Sequence, residues 1–136
     1  MSFDIFLQHF QNGEVATWQR SVVEEIFGRY VIDREKANGF MRVEFPDGSG
    51  SDIYTSKDDE VDCMMFNHSG GQGFFDALWE LANRIHGCVC WPAVGPSLVI
   101  TDASTLTHLP ADMIEAVGPP LIVKSGSDII AAIERS

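Results

Sequence analysis

Residues 69–91 read Ser69-Gly-Gly-Gln-Gly-Phe-Phe-Asp-Ala-Leu-Trp-Glu-Leu-Ala-Asn-Arg-Ile-His-Gly-Cys-Val-Cys-Trp91. Phe74, Leu78, Leu81, Ala82 and Ile85 recur at the spacing of one helical face, with Phe75 and Trp79 on its flank. Asp76, Glu80, Asn83 and Arg84 fall on the wet side, and Glu80 precedes Arg84 by one helical turn, a favourable pair. Ser69 followed by Gln72 predicts a capping box, and Gly87 suits the left-handed position after the last turn. Burying these side chains would contribute roughly 1.5–3 kcal/mol each. The stretch therefore predicts a helix at the centre of the core, running into a buried strand at Cys88–Trp91.

Working outward, Phe3–Phe10 alternates with apolar residues on both faces and predicts a central strand, broken at Gln11-Asn12-Gly13. A first helix follows over Thr17–Phe27, with Val22, Val23, Ile26 and Phe27 inward and Gly28 at its end. Tyr30–Ile32 suits a short strand before a polar loop. Phe40–Phe45 and Ser51–Thr55 predict a hairpin around the turn signal Pro46-Asp-Gly-Ser-Gly50, and Val61–Asn67 a further strand. After Pro92 the pattern predicts a strand at Ser97–Thr101, a turn capped by Asp102 and a helix at Ala111–Val117. A buried strand at Leu121–Val123 and a helix capped by Ser125 or Ser127 complete it.

This order predicts an α+β fold: a ferredoxin-like antiparallel sheet of four to five strands with helices on one face, plus a C-terminal αβα extension. The 136 residues suit a single domain, since a boundary near Pro92 would leave a piece too small for its own core. Alternation suggests that Arg42, Glu44, Asp52, Tyr54 and Asp62 share the second sheet face with Phe6, Met64 and Phe66.

The formal charge is -11, which disfavours nucleic acid as a partner and permits a basic protein. Between Glu44 and Asp62 stand seven acids and one base, Lys57, for a net charge of -6. This segment is either a solvated hairpin and loop or a docking surface for a cationic protein. The candidate binding residues are Glu44, Asp52, Tyr54, Asp58, Asp59, Glu60 and Asp62, with Phe66 as a second aromatic anchor and His68 at a separate candidate site.

The chemical motifs are weak. His68–Gly73 precedes a helix, where backbone N–H groups favour an anion, but no Lys or Arg is near and neither nucleotide-binding spacing is matched. A loop with an N-cap fits better, although a small-ligand site would be sought here first. Cys88 and Cys90 lie on one strand face near Cys63, without zinc-ligand spacing, and read as buried small hydrophobes. Asp58, Asp59 and Glu60 lack calcium-loop spacing. No spacing selects a nucleophile–base pair from Cys90, Ser69, His68, His86 and His108. No metal or other cofactor is implied. Three cysteines read as free thiols in a reducing compartment, the cytoplasm. No apolar run is long enough to span a bilayer, and the amino terminus reads as a mature start.

The stretches Ser2-Phe-Asp-Ile-Phe-Leu-Gln8, Phe45–Tyr54, Phe74–Leu81 and Gly118–Gly126 resemble a family of small uncharacterised standalone bacterial proteins. That resemblance implies no activity and no catalytic residues. In size, acidity and architecture the chain is also similar to immunity proteins of bacterial toxin systems. The combined expectation is a non-enzymatic bacterial protein that docks a basic partner through residues 44–62, acting as a monomer or homodimer. The alternative is a small-molecule-binding domain or minor enzyme with its site near His68–Gly73.

Overall fold

The computed structural model describes residues 3–136; Met1 and Ser2, part of the amino-terminal stretch read above as a mature start, lie outside them. The chain opens with β1 (Ile5–Gln11). Asn12 and Gly13 both take positive φ, the requirement of a two-residue hairpin turn, and return the chain into β2 (Glu14–Ala16). The segment expected only to break the strand thus makes a hairpin. β3 (Trp18–Gln19) leads into α1 (Arg20–Phe27), one turn shorter than expected because Trp18 pairs with β7 (Glu60–Val61) instead of entering the helix. A meander of β4 (Val31–Glu35), β5 (Phe40–Glu44), β6 (Gly50–Thr55) and β8 (Cys63–Gly70) follows. Then come α2 (Gln72–Ile85), β9 (Cys88–Cys90) and β10 (Leu98–Ile100). A 3-10 helix at Ala103–His108, α3 (Ala111–Val117), β11 (Leu121–Ile122) and α4 (Gly126–Arg135) end the chain.

The fold is mixed α+β with one large, mostly antiparallel sheet. Its order is β11-β10-β9-β1-β8-β6-β5-β4, with β2 also on β1, and among the described residues only β10–β11 is parallel. Among the described residues the sheet has nine strands, not the four to five of the expected ferredoxin-like arrangement. Two segments account for much of the difference. β4 continues through residues expected in a polar loop and pairs with β5. The C-terminal third does not pack as a separate extension; β10 and β11 continue the sheet beyond β9.

One sheet face carries the main core. Phe74, Phe75, Ala77, Leu78, Leu81, Ala82 and Ile85 of α2 are buried there, as the helical spacing predicts, with Val23, Ile26 and Phe27 of α1 and Ile129, Ala132 and Ile133 of α4. Arg84 pairs with Glu25 of α1 at 2.5 Å, across the helix–helix boundary, and not with Glu80. A smaller core on the other face joins Phe10, Cys88, Leu98, Ile100 and Leu109, against which Met113, Ile114 and Val117 of α3 pack. The expected buried strand at 121–123 is buried only at Val123: Leu121 and Ile122 are 40% and 47% exposed, because β11 is the edge strand. Among the described residues no helix is long and apolar enough to cross a membrane.

Candidate functional site

The expected site residues fall into separate places. At the end of the sheet nearest the start of α2, strand pairing sets Arg42 opposite Asp52, and Asp52 opposite Asn67, the neighbour of His68. Arg42 Nε donates to Asp52 Oδ1 at 2.6 Å, and His68 Nδ1 lies 3.0 Å from Asp52 Oδ2. An ionised carboxylate only accepts, so Nδ1 carries the proton and the neutral ring leaves Nε2 free. Hydrogen bonding from Arg42, opposed by burial and aided by His68, holds the Asp52 carboxyl below its ordinary range. These groups line an open groove of about 720 Å³ that also includes Ile32, Glu44 and Asp47. The groove supplies an oriented imidazole, while its serine hydroxyls are engaged elsewhere: Ser51 and Ser69 bond each other at 2.8 Å in buried positions, and Ser49 Oγ is held between Asp47 and Phe74 N.

That serine pair also removes the expected capping box. Ser69 is still in β8, and α2 begins after Gly71 without a local side-chain cap. The 46–50 turn caps it from a distance: Gly73 N donates to Asp47 Oδ2 at 2.8 Å and Phe74 N to Ser49 Oγ at 2.9 Å. Two first-turn donors that a bound anion could have used are therefore occupied, one of them by a carboxylate. At the other end of α2, His86, not Gly87, takes the left-handed conformation. Gly87 meets a different demand, since a Cβ there would approach Gln8 O at 2.9 Å.

Asp58, Asp59, Glu60 and Asp62 lie at the opposite end of the hairpin, all exposed. Arg20 fastens their loop through its backbone: Nε donates to Asp58 O at 2.8 Å, and Nη2 donates to Ser56 O and to Thr55 Oγ1 at 3.2 Å. None of the four acids joins an ion pair among the described residues, whose carboxylate pairings are Arg34–Glu24, Arg42–Asp52, His68–Asp52 and Arg84–Glu25. Glu60 Oε1 accepts only a 3.3 Å hydrogen bond from Thr17. The backbone is anchored and the negative charge is left facing outward.

Between the two ends, Tyr54 is 40% exposed and packs beside Phe40, ring centroids 5.2 Å apart. Phe66 cannot anchor a partner: it is fully buried among Phe27 and Phe74. Met64 is likewise in the core, and the residue opposite Phe6 is Met65. The thiols are unpaired; burial raises Cys63 and pushes Cys90 up to about 11 and Cys88 up to about 12, so they stay protonated near neutrality. No group of three His, Cys, Asp or Glu side chains among the described residues could hold a metal ion. Sequence reading missed Arg20 as the clamp of the acidic loop and Asp47 with Ser49 as the caps of α2. The Asp-Gly-Ser turn was a usable signal for the caps; nothing local pointed to Arg20.

Comparison with known proteins finds no matching family model, curated protein or solved structure.

Asp52, Asp47, Asp102 and Glu24 all sit below their ordinary carboxyl range, chiefly through hydrogen bonds from Arg42, Ser49, Ser104 and Arg34 respectively. A depressed folded-state value gives stability that is present above the unfolded range and lost as pH falls through the folded one. The melting temperature should therefore hold from neutrality to about pH 4 and fall below it. Asp52→Asn should lose less on that acid limb than wild type. Thermal melts across the range check this; equal acid sensitivity in the variant would contradict it.

Proposed function

We propose that the chain is a non-enzymatic acidic binding protein that docks a basic protein partner through residues 44–62. The carrying observation is the loop of residues 56–62, whose carboxylates have no ion-pair partners among the described residues while Arg20 holds its backbone. A fixed array of unneutralised charge speeds encounter with a cationic surface and selects among partners more than it adds affinity. Tyr54, exposed on the adjoining strand, is the aromatic anchor. Neutralisation of a cationic toxin or enzyme in the bacterial cytoplasm is the concrete form of this reading, and the three unpaired thiols support a reducing compartment.

The test compares wild type with Asp58→Lys, Asp59→Lys, Glu60→Lys combined, each immobilised and exposed to extract of the native host, with mass spectrometry of what is retained. The expected result is a basic protein held by wild type, released by salt and bound at least about tenfold more slowly by the variant. Retention of the same proteins by both, insensitive to salt, would sink the reading.

A second reading is favoured by one observation, the bond from His68 Nδ1 to Asp52 that fixes the ring at the groove. It makes that groove a small-molecule site. A ligand whose binding is lost on His68→Ala but kept on charge reversal of the loop would favour it.

A further inference from the structure

Three of the chain's four histidines meet at one cavity far apart in sequence. His9 comes from β1, His86 from the left-handed end of α2 and His108 from the last position of the 3-10 helix. With Phe10, Gln11, Ser104 and Thr105 they line a space of about 390 Å³, a size ordinary for a small-molecule pocket. Although the chain is strongly acidic, no carboxylate lines this cavity, whereas the Asp52 groove and the recess at Asp58 are both lined by them.

The polar groups here are set in a definite order. His9 Nδ1 lies 3.3 Å from the His86 carbonyl oxygen, which can only accept, so the neutral His9 ring presents Nε2 as an acceptor. Asn12 N–H donates to His108 Nδ1 at 3.1 Å, so the neutral His108 ring carries its proton on Nε2 as a donor. Thr105 is only 3% exposed, and its buried hydroxyl has no hydrogen-bond partner among the described residues. An unmatched hydroxyl in a buried position costs stability that a bound partner would restore. Ser104 and Gln11 add further donors at the rim. Asp102, an acid near His86, accepts from the backbone N–H of Ser104 and is also near Lys124.

We propose that this cavity binds a small oxyanion that itself carries one O–H, such as a hydrogen phosphate or a hydroxycarboxylate. His108, Thr105 and the rim groups donate to the oxyanion's oxygens, and His9 Nε2 accepts the hydrogen bond from its single O–H. The cavity, at about 390 Å³, is larger than such an oxyanion and leaves space beside Phe10 for a molecule of which the oxyanion is the head group. The site is separate from the acidic loop and does not depend on the docking role proposed for it.

The experiment is a nuclear magnetic resonance titration of the isotope-labelled full chain with inorganic phosphate, citrate and sulfate, at fixed ionic strength. Saturable shifts confined to the His9 and His108 rings and the Thr105 amide are expected with phosphate, citrate or both, and the arm that responds identifies the head group. Sulfate, matched in shape and charge to hydrogen phosphate but without its proton, should bind at least about tenfold more weakly. Thr105→Val should weaken binding about fivefold while leaving the fold intact. If that variant does not fold, Gln11→Ala, at an exposed position, replaces it with the same expected direction. Absence of saturable shifts with both phosphate and citrate overturns the proposal. So do equal binding of sulfate and unchanged affinity in the folded variant.

Discussion

Replacing Phe66 by alanine should destabilise the fold by about 3–5 kcal/mol. Its ring is fully buried in β8, 6.2 Å from Phe27 of α1 and 5.5 Å from Phe74 of α2, centroid to centroid. It therefore stands where the sheet and both helices meet. The neighbours are themselves large rings bracing one another, including the Phe27–Phe45 edge contact, so the vacated space cannot close by a simple rotation. Urea denaturation measures the loss. A change below about 1 kcal/mol would show that the three elements do not share this contact.

Gly71→Ala should cost about 2–5 kcal/mol, the sum of backbone strain and overpacking. Gly71 has φ 94 and ψ 155, a region essentially reserved for glycine. A Cβ there would collide with Ser49 Cβ and come within 2.9 Å of Ser49 Cα. Ser49 is also the residue that accepts from Phe74 N, so pushing it away uncaps α2 in the same step. Denaturation with far-ultraviolet circular dichroism as the probe checks it. A variant as stable and as helical as wild type would show that the turn at 46–50 can retreat without loss.

These two positions also mark what the sequence made legible. The apolar stripe of α2 is long and regular, and the helix lies where the spacing predicts it, with the right face buried. The start of that helix could not be read locally, because its caps come from Asp47 and Ser49 while the serine nearest in sequence is held by Ser51. Phe66 was misplaced for a different reason. Met64, Met65 and Phe66 are all apolar, so alternation in β8 carries no signal for which side is inward; the pairing of Met65 with Phe6 decides it. β2, β3 and β7 are two or three residues long and leave no period to detect. The acidic character of residues 44–62 was plain in the composition. That its charge separates into a neutralised end at Asp52 and an unneutralised end at Asp58–Asp62 depends on Arg42 and Arg20, which only the folded chain brings to them.

The distant capping of α2 has a bearing on the order in which the chain acquires structure. A helix of 14 residues is marginal alone in water, and its first turn is the costly part to form. Here two of the bonds that satisfy that turn reach back 26 and 25 residues to a hairpin turn. Closure of the β5–β6 hairpin therefore positions the groups that complete the helix, and the bonds between them form only once the chain joining the two has been ordered. The 46–50 turn and the start of α2 are therefore one unit, and neither piece is a module that could be transplanted without the other.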